Sequence, residues 1–124
     1  MSGLAGTVAI SSHFDSVRET ETDQVPEGSR LTVGQLVSIR QPVYPVEAVR
    51  GHVEGTVRLR AVVDQIGKVE VVQLVSGHPV LVPAAIDAVH EWRYGETILD
   101  SKAVKSVEDI TVVFRLANSV ASPR

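Results

Sequence analysis

Ser76, His78 and Asp87 are the residues of this 124-residue chain that by type and proximity could carry covalent chemistry. They are a hydroxyl nucleophile, an imidazole base and a carboxylate able to orient it. Ser76 and His78, however, flank Gly77 and lead into Pro79, where one element ends and the next begins. At such a junction hydroxyl and imidazole groups ordinarily serve turns and caps. No glycine-rich loop able to form an oxyanion hole accompanies them, so the spacing argues against catalysis. The four histidines, His13, His52, His78 and His90, lack close metal-ligand spacing. The last two are placed so that they fall off a common helical face. The chain has no cysteine, which removes disulfides and thiolate ligands and leaves the redox compartment open. A net charge of −3 and a pI near 5.8 offer no basic footprint for nucleic acid or anionic lipid. No enzyme, metal or cofactor chemistry is therefore expected.

The elements that must position the remaining side chains are more legible. Residues 1–30, ending in "RETETDQVPEGSR", are polar and acidic without a sustained period and read as a flexible lead-in, in which "GTVAI" adds at most a short strand. The opening "MSGLAGTVAISSHFDS" lacks the basic and apolar regions of an export signal. No apolar run approaches the roughly 18 to 20 residues of a membrane span. In "QPVYPVEAVR" the two prolines hold Gln41 and Tyr44 extended, and Pro45 opens a short helix through about Arg50. "GTVRLRAVVD" alternates Val57, Leu59, Ala61 and Val63 against Arg58, Arg60 and Val62, the period of a strand with one buried face. "DQIG" supplies a turn, and "KVEVVQLVS" returns as the second strand of a hairpin. Val69 lies on the opposite parity to Val72 and Leu74, so either both faces of that strand are partly covered or a bulge changes its phase, and the bulge is the favoured expectation.

Leu81, Ala85, Ala88, Val89 and Trp92 then recur at helical spacing, so a helix of about 14 residues is expected to lie on the sheet. Its only tryptophan plugs the far corner of the core, worth about 3 to 5 kcal/mol. Asp87, His90 and Glu91 form its solvated face. "LDSKAV" makes a turn, and Ile110, Val112, Phe114 and Leu116 alternate in a last strand. The expected fold class is α+β in two layers: an antiparallel three-stranded sheet of order β-β-α-β, a short N-terminal helix, and one amphipathic helix on one face. The domain covers residues 31–117, with a tail at 118–124. In this arrangement the first hairpin strand is central and the last strand is an edge, open to an added peptide strand.

Together, "QPVYP", "VEGTVRLRAVVDQIGKVEVVQLVSGHP", "AAIDAVHEWRY" and "ITVVFRL", in this order and at these spacings, resemble the C-terminal domain of TonB-type energy transducers across about residues 31 to 116. The chain departs from the family pattern at Glu47, where a basic residue is common, and at Gly95 and Glu96, which follow Trp-Arg-aromatic. The resemblance implies a periplasmic domain that grips the TonB box, a short N-terminal segment of outer-membrane transporters. It also implies ExbB- and ExbD-like inner-membrane partners where an anchor is present, and it allows a homodimer. Carried over residue by residue, it implies a peptide-binding surface made of Gln41, Pro42, Val43 and Tyr44 beside Ile110, Thr111, Val112, Val113, Phe114, Arg115 and Leu116. The alternative is a freestanding interaction or oligomerisation module with the same fold and another partner.

Overall fold

The computed structural model describes residues 6–18 and 28–116. The expected tail at 118–124 and the remainder of the lead-in, residues 1–5 and 19–27, lie outside the described residues. Alternation in "GTVRLRAVV" produces β4 (Gly55–Val63), which buries Val57, Leu59 and Ala61 at 1% exposure or less and turns Arg58 and Arg60 outward. Asp64 closes the turn: its Oδ1 accepts the amides of Ile66 and Lys68 at 3.0 and 2.9 Å, and Gly67 takes the positive φ of 91° that the geometry requires. The strand that returns, β5 (Val69–Ser76), pairs antiparallel with β4, and its register slips between Val62 and Val63, which makes Glu70 the extra residue of a bulge in that strand.

The helix α2 (Val82–Val89) is shorter than the expected 14 residues, at 8. At its end Glu91 and Trp92 donate to Ala88 and Val89, three residues back, so the chain tightens into a 3₁₀-type turn. That turn swings Trp92 into the core with no exposed surface. Its indole Nε1 donates to the Arg40 carbonyl at 3.0 Å, so the ring pins the 39–45 strap as well as filling the corner. The strap leads through Pro45 into α1 (Val46–Arg50), where the Pro45 carbonyl accepts the amides of Ala48 and Val49.

More strands are present than the three expected. After α2 come β6 (Arg93–Tyr94) and β7 (Thr97–Leu99). A tight turn follows in which Asp100 and Ser101 both have positive φ, and then a 15-residue strand, β8 (Lys102–Leu116). Before α1 lie β2 (Leu31–Thr32) and β3 (Leu36–Ser38), paired with β7 and β6 respectively. The largest correction is β1 (Gly6–Arg18), a 13-residue strand within the segment expected to be a flexible lead-in. Its core-facing residues Val8, Ile10, Ser12 and Phe14 are half-buried, while Thr7, Ala9, Ser11 and His13 are exposed. β1 pairs antiparallel with β8 from Gly6 opposite Leu116 to Arg18 opposite Lys105, shifting register once between Phe14 and Ser16.

The main sheet thus has six strands, ordered β2-β7-β8-β4-β5 with β1 also on β8, beside a two-stranded sheet of β3 and β6. As expected, β4 is central between its hairpin partner and the last strand. The last strand is not an edge, because β1 lines it. One face of the main sheet carries α2 and the principal core, which includes Leu59, Leu81, Trp92, Ile110, Val112 and Phe114. Beyond the bulge in β1, Val17 joins Leu99 and Val104 in a second, smaller core.

Candidate functional site

The flank of β8 on which an incoming strand was expected is occupied by residues Gly6 to Ser12, lying opposite Leu116 to Ile110. Amide direction follows from alternation along a strand. The Leu116 amide is spent on the Glu54 carboxylate at 2.7 Å, just ahead of β4. Phe114, Val112 and Ile110 therefore direct their amides toward β4, and Arg115, Val113 and Thr111 toward β1. The side chains divide by the same alternation, between the two faces of the sheet. Ile110, Val112, Phe114 and Leu116 lie in the core at 2% exposure or less, and Arg115 is exposed.

Of the strap residues grouped with this strand, Tyr44 reaches it. Its ring stands edge-on to Phe114, centroids 5.3 Å apart, and its hydroxyl donates to the Val53 carbonyl at 2.6 Å. The same ring lies so close over Gly6 that a Cβ there would overlap it. Tyr44 thus clasps the start of β1 against the end of β8. Burial raises its phenol pKa, with Glu54 adding to the effect. Pro42 is buried, whereas Gln41 and Val43 are exposed and line a different feature, an open groove of about 700 Å³ between the strap and α2. Val80, Pro83 and Ala84 contribute its apolar wall, and Glu47, Asp87 and Glu91 its acidic rim, with Glu91 paired to Arg40 at 2.7 Å. The unusual Glu47 therefore belongs to this groove. The other departure, Gly95, sits where two backbones cross: its amide donates to the Gln35 carbonyl at 2.7 Å, and a Cβ at Gly34 would overlap its carbonyl.

At the lower end of the β1–β8 ladder lies a polar cluster that sequence reasoning missed. Glu108 on β8 faces the core side at 3% exposure. Ser12 of β1 donates to its Oε1 and Ser106 to its Oε2, each at 3.4 Å, and the Tyr94 hydroxyl meets Ser12 Oγ at 2.8 Å. Burial drives the Glu108 carboxyl up to about 7, against the two serine hydrogen bonds that favour its charged form, while Asp109 and Asp15 push in the same direction as burial. Burial likewise pushes the Tyr94 phenol up to about 12, so it stays neutral and able to donate. Beside these groups a cleft of about 310 Å³ opens between β1 and residues 33–36. The available signal was that Ser106 and Glu108 fall between Val104 and Ile110 on a strand face otherwise apolar from Val104 to Leu116.

His78 Nδ1 accepts the Val80 amide at 3.1 Å, a local cap, while Asp87 stands on the groove rim. Among the described residues no group of three His, Asp or Glu side chains is arranged to hold a metal ion. None of the described helices is long and apolar enough to cross a membrane.

No curated protein matches the chain. The family model for the Gram-negative bacterial TonB protein C-terminal domain matches residues 40–116, from the strap that Trp92 pins to the end of β8. With that stretch containing α1, the β4–β5 hairpin, α2 and β8, the chain belongs to the TonB C-terminal family.

Proposed function

We propose that this chain is the peptide-gripping domain of a TonB-type energy transducer. In the periplasm it takes up the TonB box of an outer-membrane transporter as an added strand along Ile110–Leu116. Where an inner-membrane anchor joins it to ExbB- and ExbD-like proteins, the grip couples the proton gradient to uptake. The observation that carries the reading is the β1–β8 ladder. The family match begins at residue 40, yet this flank of β8 is filled by a strand from outside that stretch, through the backbone pairing an added peptide would use. β1 is then an intramolecular competitor. Tyr44 guards the upper end of the site, and Gln41, Pro42 and Val43 carry the strap past it toward the groove.

The test is titration of the full chain and of an Ile10→Asp variant with a panel of transporter N-terminal peptides, read by amide chemical shifts. Binding to the full chain is expected in the micromolar range or weaker, because both peptide ordering and β1 displacement oppose it. Ile10→Asp should tighten it at least tenfold, with shifts concentrated at Thr111, Val113 and Arg115. Val113→Pro should weaken it by removing a donor aimed at the incoming strand. Peptides that leave those amides unmoved in both proteins rule out strand addition here.

One observation favours the second reading, a freestanding interaction or oligomerisation module. The far side of β5 pairs with no described strand and exposes Val71, Leu74 and Val75, a surface on which a second copy could add. A concentration-dependent dimer in sedimentation velocity that Leu74→Lys abolishes would favour that reading.

A further inference from the structure

Along the stretch of β1 that lines the expected site, the residues facing the core are Val8, Ile10 and Ser12, with Phe14 following before the bulge. Three are apolar and one is a hydroxyl. The hydroxyl stands where β8 itself is polar. Ser12 lies opposite Ile110, bonds to Glu108 Oε1 at 3.4 Å and meets the Tyr94 hydroxyl at 2.8 Å. With a strand seated in the β1 position Glu108 and Tyr94 are 3% and 5% exposed, so that strand must supply the partner that Ser12 supplies here. Ser106 satisfies the other carboxylate oxygen. From these contacts we infer that Glu108 and Tyr94 form a selectivity pocket for the incoming strand. They admit a segment that carries a Ser or Thr hydroxyl at the Ser12 register, with branched apolar residues two and four positions before it. This rests on the strand-addition reading and deepens it by naming the partner's chemistry.

The physical reason is the asymmetry of buried polar groups. A strand with Val at that register would gain a little apolar burial but would leave Oε1 and the Tyr94 hydroxyl without their shared partner. A site built to hydrogen-bond a hydroxyl discriminates far more strongly against its loss than an apolar pocket does against a missing methyl. Backbone pairing along Thr111, Val113 and Arg115 is indifferent to sequence, so this pocket is where the site reads one. The adjoining cleft of about 310 Å³ leaves room for the extra methyl of Thr. The elevated Glu108 pKa does not remove the preference, since a protonated carboxyl also bonds a hydroxyl and an apolar side chain satisfies neither form.

The test uses the full chain carrying Ile10→Asp, which places a charge on the core-facing side of β1 and frees the flank. Val8→Asp serves the same purpose if the first variant does not fold, and slow amide exchange across residues 56–63 verifies the body in either. The probes are two fluorescent peptides, one with the sequence of residues 6–14 of this chain and one identical except for Val in place of Ser12. The serine peptide is expected to bind at least tenfold more tightly. Adding Glu108→Leu should erase or reverse that preference, with Glu108→Gln retaining it because the amide still bonds a hydroxyl. Equal affinities in the parent background, or a preference that survives Glu108→Leu, overturn the selectivity pocket while leaving strand addition standing. Failure of both peptides, together with failure of the transporter panel, overturns strand addition and the pocket with it.

Discussion

β8 is flanked on its two sides by strands of comparable length that are held in different ways. On the β4 side the facing residues Val57, Leu59 and Ala61 are at 1% exposure or less and lie beneath α2 and Trp92. On the β1 side the matching residues Val8, Ile10 and Ser12 are half-buried, although the ladder of backbone pairs is longer. Net backbone hydrogen bonding contributes modestly because water competes for the same groups, while burial of apolar area contributes about 25 cal/mol per Å². The β4 flank is therefore part of the fold's foundation, and the upper half of the β1 flank is an addition to it. The bulge at Phe14–Ser16 marks the division in β1, since Val17 beyond it is fully buried in the second core.

The largest expected effect that sharpens this contrast is on the β4 side. Trp92→Ala should cost about 3 to 5 kcal/mol, and more than an apolar truncation of similar area because the Arg40 carbonyl loses its donor. The denaturant midpoint should fall for the whole domain at once, and an unchanged midpoint would remove Trp92 from the foundation. Next is the pH dependence of the polar end of the β1 flank. The folded pKa of Glu108, about 7, lies above its ordinary 4.5, so the folded domain keeps a proton that the unfolded chain releases. Its contribution is fully present below about pH 4.5 and is lost as pH rises through about 7, on the order of 3 kcal/mol in all. The titratable groups that act on it are Tyr94 from β6, Asp109 from β8 and Asp15 from β1. Glu108→Gln should flatten the stability profile between about pH 5 and 8, and a profile as steep as the parent's would assign the dependence to another group.

Smaller still is Ile10→Ala, at about 1 kcal/mol for a half-buried side chain. Its signature is local: amide exchange should quicken at Thr111 and Val113, which face β1, and hold at Ile110 and Val112, which face β4. Equal quickening on both sides would dissolve the distinction between the flanks. Smallest is Arg60→Ala. The Arg60–Asp109 pair at 3.2 Å is nearly half exposed on both partners, so stability should move by less than about 0.5 kcal/mol. A larger loss by chemical denaturation would show that the open sheet face takes part in holding β8.

How much of this could be read from sequence depended on the length and purity of each pattern. The β4–β5 hairpin, its Asp64 turn and its bulge were legible because the alternation is long and Gly67 is unambiguous. Burial of Trp92 was legible too, but the end of α2 was not, since a 3₁₀-type turn keeps helical spacing while ending the helix. β2, β3, β6 and β7 span only two or three residues each, too few to show any period. β1 was hidden differently. Val8, Ile10 and Phe14 do keep a period of two, but Ala9, Ser11 and Ser12 dilute it, and the acidic stretch that follows biases the reading toward a linker. Of the site, Tyr44 and the core side of β8 were legible from "QPVYP" and "ITVVFRL". The Glu108 cluster was not, because it depends on a strand nearly a hundred residues away, as the 96-residue separation from Ser12 makes plain.

That separation has a consequence for biosynthesis. Thr7 and Arg115 lie 108 residues apart, so β1 leaves the ribosome well before the strand that receives it. The β4–β5 hairpin and α2 can assemble in the interval through contacts that are short-range in sequence, whereas β1 must remain solvated and unpaired. Its alternation of Thr7, Ser11 and His13 with a few branched residues suits that wait, being too polar to associate with a neighbouring nascent chain. The order of synthesis thus presents β8 with an open flank at the moment it first forms, and any extended segment then at hand meets that flank in competition with the chain's own first strand.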